Sequence, residues 1–223
     1  MIRAILRHQN DLLIKPAENP DFIERLFGSD DMQLLRNCPC PVWLTRSEEK
    51  SDYACILAAV DIDPDIPEET EQNLNWQILE LSSSLAISKF AALNVLHVWD
   101  APFEKKVRSW SDSEAVMAYV EGERSRHDGA FNRLGKELRD QIGPEAYDHL
   151  SPQFHLRRGA PSTVIPQTVK ELQADLLVMG TVARTGIAGW LIGNTAEAIL
   201  EQLQCSVLAV KPSGFVSPVK PAE

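Results

Sequence analysis

With 223 residues, 44% of them hydrophobic and 24% charged, the chain can bury a proper core as one large domain or one and a half small ones. Its formal charge of −10 argues against a nucleic-acid partner, which would ask for a basic face. No apolar run approaches the length of a membrane span and Met1-Ile2-Arg3 does not lead into a signal peptide; the four cysteines, Cys38, Cys40, Cys55 and Cys205, are too unevenly spread for a disulfide framework, so a cytoplasmic protein with no membrane partner is expected.

Over residues 1–10, Ile2, Ile5 and Leu6 fall at helical spacing with no capping residue before them. Asp11-Leu12-Leu13-Ile14 reads as a strand, followed by an irregular stretch with Pro16 and Pro20, a short helix carrying Leu34 and Leu35, and a strand over Pro41–Thr45. Residues 47–51 form a short charged linker. Cys55–Val60 is the next strand and ends at Asp61, where an acidic loop with Asp63, Asp65, Glu68, Glu69 and Glu71 begins. Leu74, Ile78, Leu81 and Leu85 mark a helix, Ala92–Val98 a strand, and residues 100–113 an irregular segment. A long helix is expected over roughly Glu114–Ile142, with Phe131, Leu134, Leu138 and Ile142 as its inner face, while Gly122, Gly129 and Gly135 count against its being unbroken. Gln153–Arg157 is a strand, and Gly159-Ala160-Pro161-Ser162 turns into a helix whose Ile165, Val169 and Leu172 face inward.

The segment 175–211 carries the chemistry. Leu176-Leu177-Val178-Met179 reads as a buried parallel strand. Gly180, Gly186, Gly189 and Gly193 then form the densest glycine cluster in the chain, before a helix with Ala196, Ile199, Leu200 and Leu203 on one stripe and a strand over Ser206–Val210. Strand, glycine loop and helix N-terminus together suit a phosphate: glycines let backbone N–H groups approach, and the first helical turn offers unpaired donors. The same layout also serves as a plain strand-to-helix connector.

The N-terminal segment repeats this one. Asp11-Leu12-Leu13-Ile14 matches Asp175-Leu176-Leu177-Val178 at an offset of 164; Gly28, Leu34-Leu35, Cys40 and Val42 match Gly193, Ile199-Leu200, Cys205 and Val207 at 165. At that offset Met1 falls near Ile165, so the first copy is expected to lack a front portion, lost or supplied by another chain. Lys15-Pro16-Ala17-Glu18 replaces Met179-Gly180-Thr181-Val182, which makes the first copy a structural remnant and not a second site. The expected organisation is a partial, degenerate domain at 1–46, a linker at 47–51, a complete domain at 52–213 and a tail at 214–223. Strands alternating with helices imply right-handed crossovers and a doubly wound parallel α/β sheet, with ligands beyond the carboxyl ends of the strands.

Val60-Asp61, Leu96-His97-Val98, Gly159-Ala160-Pro161, the run from Met179 to Gly186, and Gly193-Asn194-Thr195-Ala196-Glu197 together resemble a universal stress protein domain, over residues 52–212. The arrangement is most similar to the tandem, E-type members, whose two domains share a chain. The resemblance implies a five-stranded parallel α/β sheet, with a partial second copy of that fold at the N-terminus here, and an ATP pocket. Asp61 would face ribose and adenine, the Val98 backbone adenine; Met179 and Gly180 would open the phosphate loop, Arg184 would lie near its end, and Gly193, Asn194 and Thr195 would hold phosphates. The family pattern is glycine, two residues, glycine, nine residues, glycine, then a small hydroxyl residue. Here Ala183 stands at the second glycine and Asn194 at the hydroxyl position, so weak ATP binding with Mg²⁺ is expected, with turnover too slow for an enzyme. The alternative is an interaction protein whose cleft takes a partner chain or another small ligand. The resemblance also implies self-association, as a homodimer or larger, through the last-strand edges at Pro41–Leu44 and Cys205–Val210, which should meet within the chain. The downstream partner is unknown.

Cys38-Pro39-Cys40 reads either as a metal or redox pair or, because Cys40 matches Cys205, as a positional feature. His97 has no acid or nucleophile beside it in the sequence, and Trp99, Trp110 and Trp190 are candidates either to cap the cleft or simply to pack.

Overall fold

The computed structural model describes residues 1–17, 30–46, 53–66, 68–181 and 192–220. It is a mixed α/β protein built on one seven-stranded sheet in the order β1-β2-β7-β6-β3-β4-β5. The strands are β1 (Leu13–Pro16), β2 (Val42–Thr45), β3 (Cys55–Val60), β4 (Ala92–Trp99), β5 (Gln153–Arg158), β6 (Leu176–Gly180) and β7 (Ser206–Val210). All neighbours run parallel except β2 and β7, which pair antiparallel. The expected five parallel strands are β7-β6-β3-β4-β5; β1 and β2 extend them across the β2–β7 joint, so the sheet is larger than the five-stranded expectation. The two last strands do meet, with Trp43 opposite Leu208.

The helices are α1 (Ile2–His8), α2 (Asp30–Asn37), α3 (Glu68–Lys89), α4 (Glu104–Arg108), α5 (Ser113–Ile142), α6 (Pro144–Leu150), α7 (Pro161–Leu172) and α8 (Asn194–Leu200). Alternation along the strands divides the core in two. Leu177 and Met179 join Met32, Leu35, Ile165, Val169 and Ile199 on one face. Leu176 and Val178 join Ile78, Leu79, Phe131, Leu134 and Leu138 on the other.

Several expectations shift. β1 begins at Leu13, whose N–H donates to the Pro41 carbonyl (3.0 Å), and the Ala17 N–H donates to Thr45. Pro16, between them in the alternation, therefore points its missing donor away from β2, where a strand tolerates proline. The segment expected to be irregular contains α4, supported by an i,i+4 pair of Glu104 with Arg108 at 2.6 Å. α5 is unbroken. Gly122 has open space where a Cβ would stand, whereas a Cβ on Gly135 would lie 3.2 Å from the Phe154 ring, so that glycine lets the helix close on β5. α6 escaped the sequence reading; Gly143 at φ 85° ends α5 and Pro144 starts the next helix.

Candidate functional site

A cleft of about 650 Å³ opens at the carboxyl ends of β3, β4 and β6. Its inner wall is apolar, with Ala59, Ile78, Val98, Ile165, Met179 and Ile199, while Asp61, Thr181, Gly193, Asn194 and Thr195 bring polar groups to it. Seven of the nine residues singled out from the sequence line it: Asp61, Val98, Met179, Gly180, Gly193, Asn194 and Thr195. The other two, Ala183 and Arg184, lie outside the described residues, as does Trp190.

Each side of the cleft is held by a specific contact. Asp61 is exposed at the lip, and its backbone is clamped by Asn75 of α3, which accepts its N–H at 3.0 Å and donates to its carbonyl at 2.7 Å. Sequence reading missed Asn75; its signal was an amide inside the stripe made by Leu74 and Ile78. At Gly180 an added Cβ would sit 2.7 Å from Leu74 Cδ2, so glycine allows α3 to lie close over β6. Thr181 donates its N–H to Val210 and accepts the Gly193 N–H at 3.0 Å, which brings the two ends of the 182–191 connection together. Gly193 caps α8 with φ −64° and ψ 143°, extended backbone that any residue adopts. Asn194, the first helical residue, is exposed and is not the cap. The leading N–H groups of such a turn have no acceptor within the helix.

Behind Thr181 lies a residue the sequence reading did not single out. Lys211, directly after β7, is 4% exposed. Its ammonium donates to Thr181 Oγ1 at 2.8 Å and to the Leu35 carbonyl in the last turn of α2. Burial pushes its pKa down from 10.5 to about 8, the nearby Cys38 thiol acting in the opposite sense.

Lys15 and Asp31 lie 164 and 165 residues before Met179 and Ala196, which line the cleft. They form an ion pair at 2.6 Å, with Asp31 buried. Cys38 and Cys40 are both buried with sulfurs 3.5 Å apart, and burial, reinforced by the Cys38 thiol, pushes Cys40 up to about 12. No group of three or more His, Cys, Asp or Glu side chains among the described residues could hold a metal ion. His97, buried under α5, has its Nε2 2.8 Å from Nδ1 of His127, a partner thirty residues away that no local motif announces. Trp99 packs beside His127 and beneath Arg158, and Trp110 is 70% exposed; neither lines the cleft.

The model of the "Universal stress protein family" matches residues 56–211. The chain belongs to the universal stress protein family. It is of the E type: Universal stress protein E of Photorhabdus laumondii is 31% identical over 228 residues, covering all of this chain and 68% of that protein. The Universal stress protein E homolog of Haemophilus influenzae is 33% identical over 206 residues, 91% of this chain and 62% of that one. This universal stress protein thus spans about two thirds of the length of these relatives. Among solved structures, a functionally unknown protein from Pseudomonas aeruginosa PAO1 aligns with TM-score 0.68 and 29% identity over 96% of this chain and 67% of that chain. A universal stress protein from Archaeoglobus fulgidus shares the fold at 16% identity, with TM-score 0.59 over 96% of this chain and 64% of that chain. Membership makes the chain a stress-response protein. No helix among the described residues is long and apolar enough to cross a membrane.

Proposed function

We propose that this universal stress protein is a cytoplasmic signalling protein that binds an adenine nucleotide, as Mg-ATP, weakly in the β3–β4–β6 cleft. One observation carries the reading: an apolar slot of about 650 Å³, within the usual size of a small-ligand site, is met by the turn Gly193-Asn194-Thr195. The apolar wall with Val98 and Met179 suits a flat base, Asp61 at the lip suits ribose hydroxyls, and the turn with Gly180 suits phosphates. Mg²⁺ would offset the phosphate charge against Asp61. Asp61 is the one titratable side chain among the described residues lining the cleft, which favours a binding protein over an enzyme.

Calorimetry with Mg-ATP tests this. Ala183→Gly is expected to tighten binding about five- to thirtyfold if position 183 requires φ > 0. Gly193→Val is expected to abolish it. Because Gly193 sits at an ordinary φ, that loss would come from side-chain bulk and not from backbone strain. Unchanged affinity in both variants would mean the nucleotide binds elsewhere.

The departures at Ala183 and Asn194 favour a second reading, in which the cleft takes a partner chain or another small ligand. Absorbance and mass spectrometry of protein equilibrated by dialysis against Mg-ATP separate the two, since only the first predicts nucleotide in excess of the surrounding solution. Residues 1–46 we read as a partial domain copy: Leu13 pairs with Val42 as Leu177 pairs with Val207, the same register at offsets of 164 and 165. Self-association is part of the same proposal.

A further inference from the structure

Lys211 is a buried ammonium whose hydrogen-bond partners among the described residues are uncharged. It is held by a hydroxyl and a carbonyl, its Nζ lies 4.9 Å from the centre of the Phe215 ring, and among the described residues it makes no ion pair. A buried cation without a counter-charge is costly, so the fold leaves a charge that an anion nearby would stabilise.

Its counterpart shows that helix capping alone does not demand this burial. Arg46 follows β2 as Lys211 follows β7, at the same offset of 165. Arg46 donates to the Gln204 carbonyl beyond α8, at an exposed position, and its N–H to Ser206 Oγ at 3.1 Å. Each unit thus sends the cation after its last strand to carbonyls at the end of the other unit's helix. Arg46 does so at the surface. Lys211 does so inside, hydrogen-bonded to Thr181, which lines the cleft together with Pro212, the residue following Lys211.

We infer that Lys211 is a positioning residue of the cleft: seated between Thr181 and the last turn of α2, it supplies the fixed positive charge that favours the phosphates of a bound nucleotide, and residues 30–46 hold it there. The inference rests on the nucleotide reading above and adds a role for the N-terminal segment: its α2 carbonyl orients the charge. The depressed pKa of Lys211 gives the device a pH signature. Phosphates in the cleft favour the protonated form, so binding draws a proton onto Lys211, and phosphate affinity falls as pH rises past about 8. The titratable group facing Lys211 from the α2–β2 connection is Cys38, with Cys40 behind it, 3.5 Å from sulfur to sulfur.

The test is calorimetry on the full chain with Mg-ATP and with adenosine, at pH 7 and pH 9.5. In the wild type, ATP affinity should drop about tenfold between the two pH values, as expected for losing one partly buried charge interaction, while adenosine affinity holds. Lys211→Met should lower ATP affinity about tenfold at pH 7, leave adenosine within twofold and show no pH step. Lys211→Arg should keep ATP affinity at pH 9.5, because guanidinium does not titrate there. The step should survive in Cys38→Ala, which assigns it to the ammonium. If Lys211→Met does not fold, the wild-type step and the arginine variant decide the matter. Wild-type binding with equal losses for ATP and adenosine, or with no pH step, overturns the role of Lys211 alone. Wild-type protein that binds neither ligand overturns the nucleotide reading and this inference together.

Discussion

Leu177 is fully buried in the core beneath α7 and α8, on a strand flanked by β3 and β7. Leu177→Ala should cost about 2–5 kcal/mol in a denaturant titration through the cavity it leaves; a surface-like response would contradict this strand order. Asn194→Ala, by contrast, should change stability by almost nothing, because Gly193 is the cap and the Asn194 side chain is exposed. His155 ties protonation to folding. Burial, helped by the Arg157 guanidinium, pushes its imidazole below 6.5, with a ring nitrogen 2.8 Å from Asn94 Oδ1. The folded state then binds fewer protons than the unfolded chain as pH falls below 6.5. The contribution of His155 to stability is therefore complete above that pH and is lost progressively below it. Urea titrations at pH 7.5 and pH 5 should show the decline in wild type and a smaller one in His155→Gln.

At the scale of elements, two contacts decide how the sheet is assembled. Asp175 precedes β6 and accepts the N–H groups of Ala54 and Cys55, at 2.7 and 2.8 Å, fixing the start of β3 beside it. Asp175→Ala leaves both donors without that acceptor and should cost about 2 kcal/mol, read from the midpoint of denaturant unfolding. The second contact is the antiparallel β2–β7 joint, supported by the Arg36–Glu197 pair at 2.5 Å between α2 and α8 and by Trp43 against Tyr53 at 5.3 Å. Arg36 comes from the short N-terminal segment, so the pair joins elements far apart in sequence, which no local pattern reveals.

For the whole molecule, the joint makes one continuous sheet, with β1 and β5 as its outer strands. The last-strand edges pair with each other inside the chain, and β1 carries Ile14 at 57% exposure with Leu12 at 38% just before it. An exposed apolar edge strand seeks a partner. Sedimentation at micromolar concentration should therefore show dimers or larger species, and Ile14→Lys should shift them toward monomer. A wild-type monomer with no dye-binding apolar surface would count against self-association.

The sequence by itself determined the parallel α/β class, the presence of all seven strands and the glycine-bearing turn, because these depend on local periodicity and on spacing. The limits of β3 and β7 could be read directly, since a buried strand flanked by turns is an uninterrupted apolar run. The expectation of an N-terminal repeat rests on the same kind of information, residue identity at offsets of 164 and 165. Tertiary structure decided what depends on approach through space. Asn75 beneath Asp61, His127 against His97 and Lys211 behind Thr181 each pair a polar side chain with an element distant in the chain, and a polar residue on an apolar stripe does not announce its acceptor. α4 and α6 were missed because a single helical turn or two carries too little periodicity to register. That the edges at Pro41–Leu44 and Cys205–Val210 meet within the chain was already an expectation of the family resemblance; tertiary structure decided the antiparallel register of the joint, with Trp43 opposite Leu208, because a strand edge finds its neighbour only when the chain has folded.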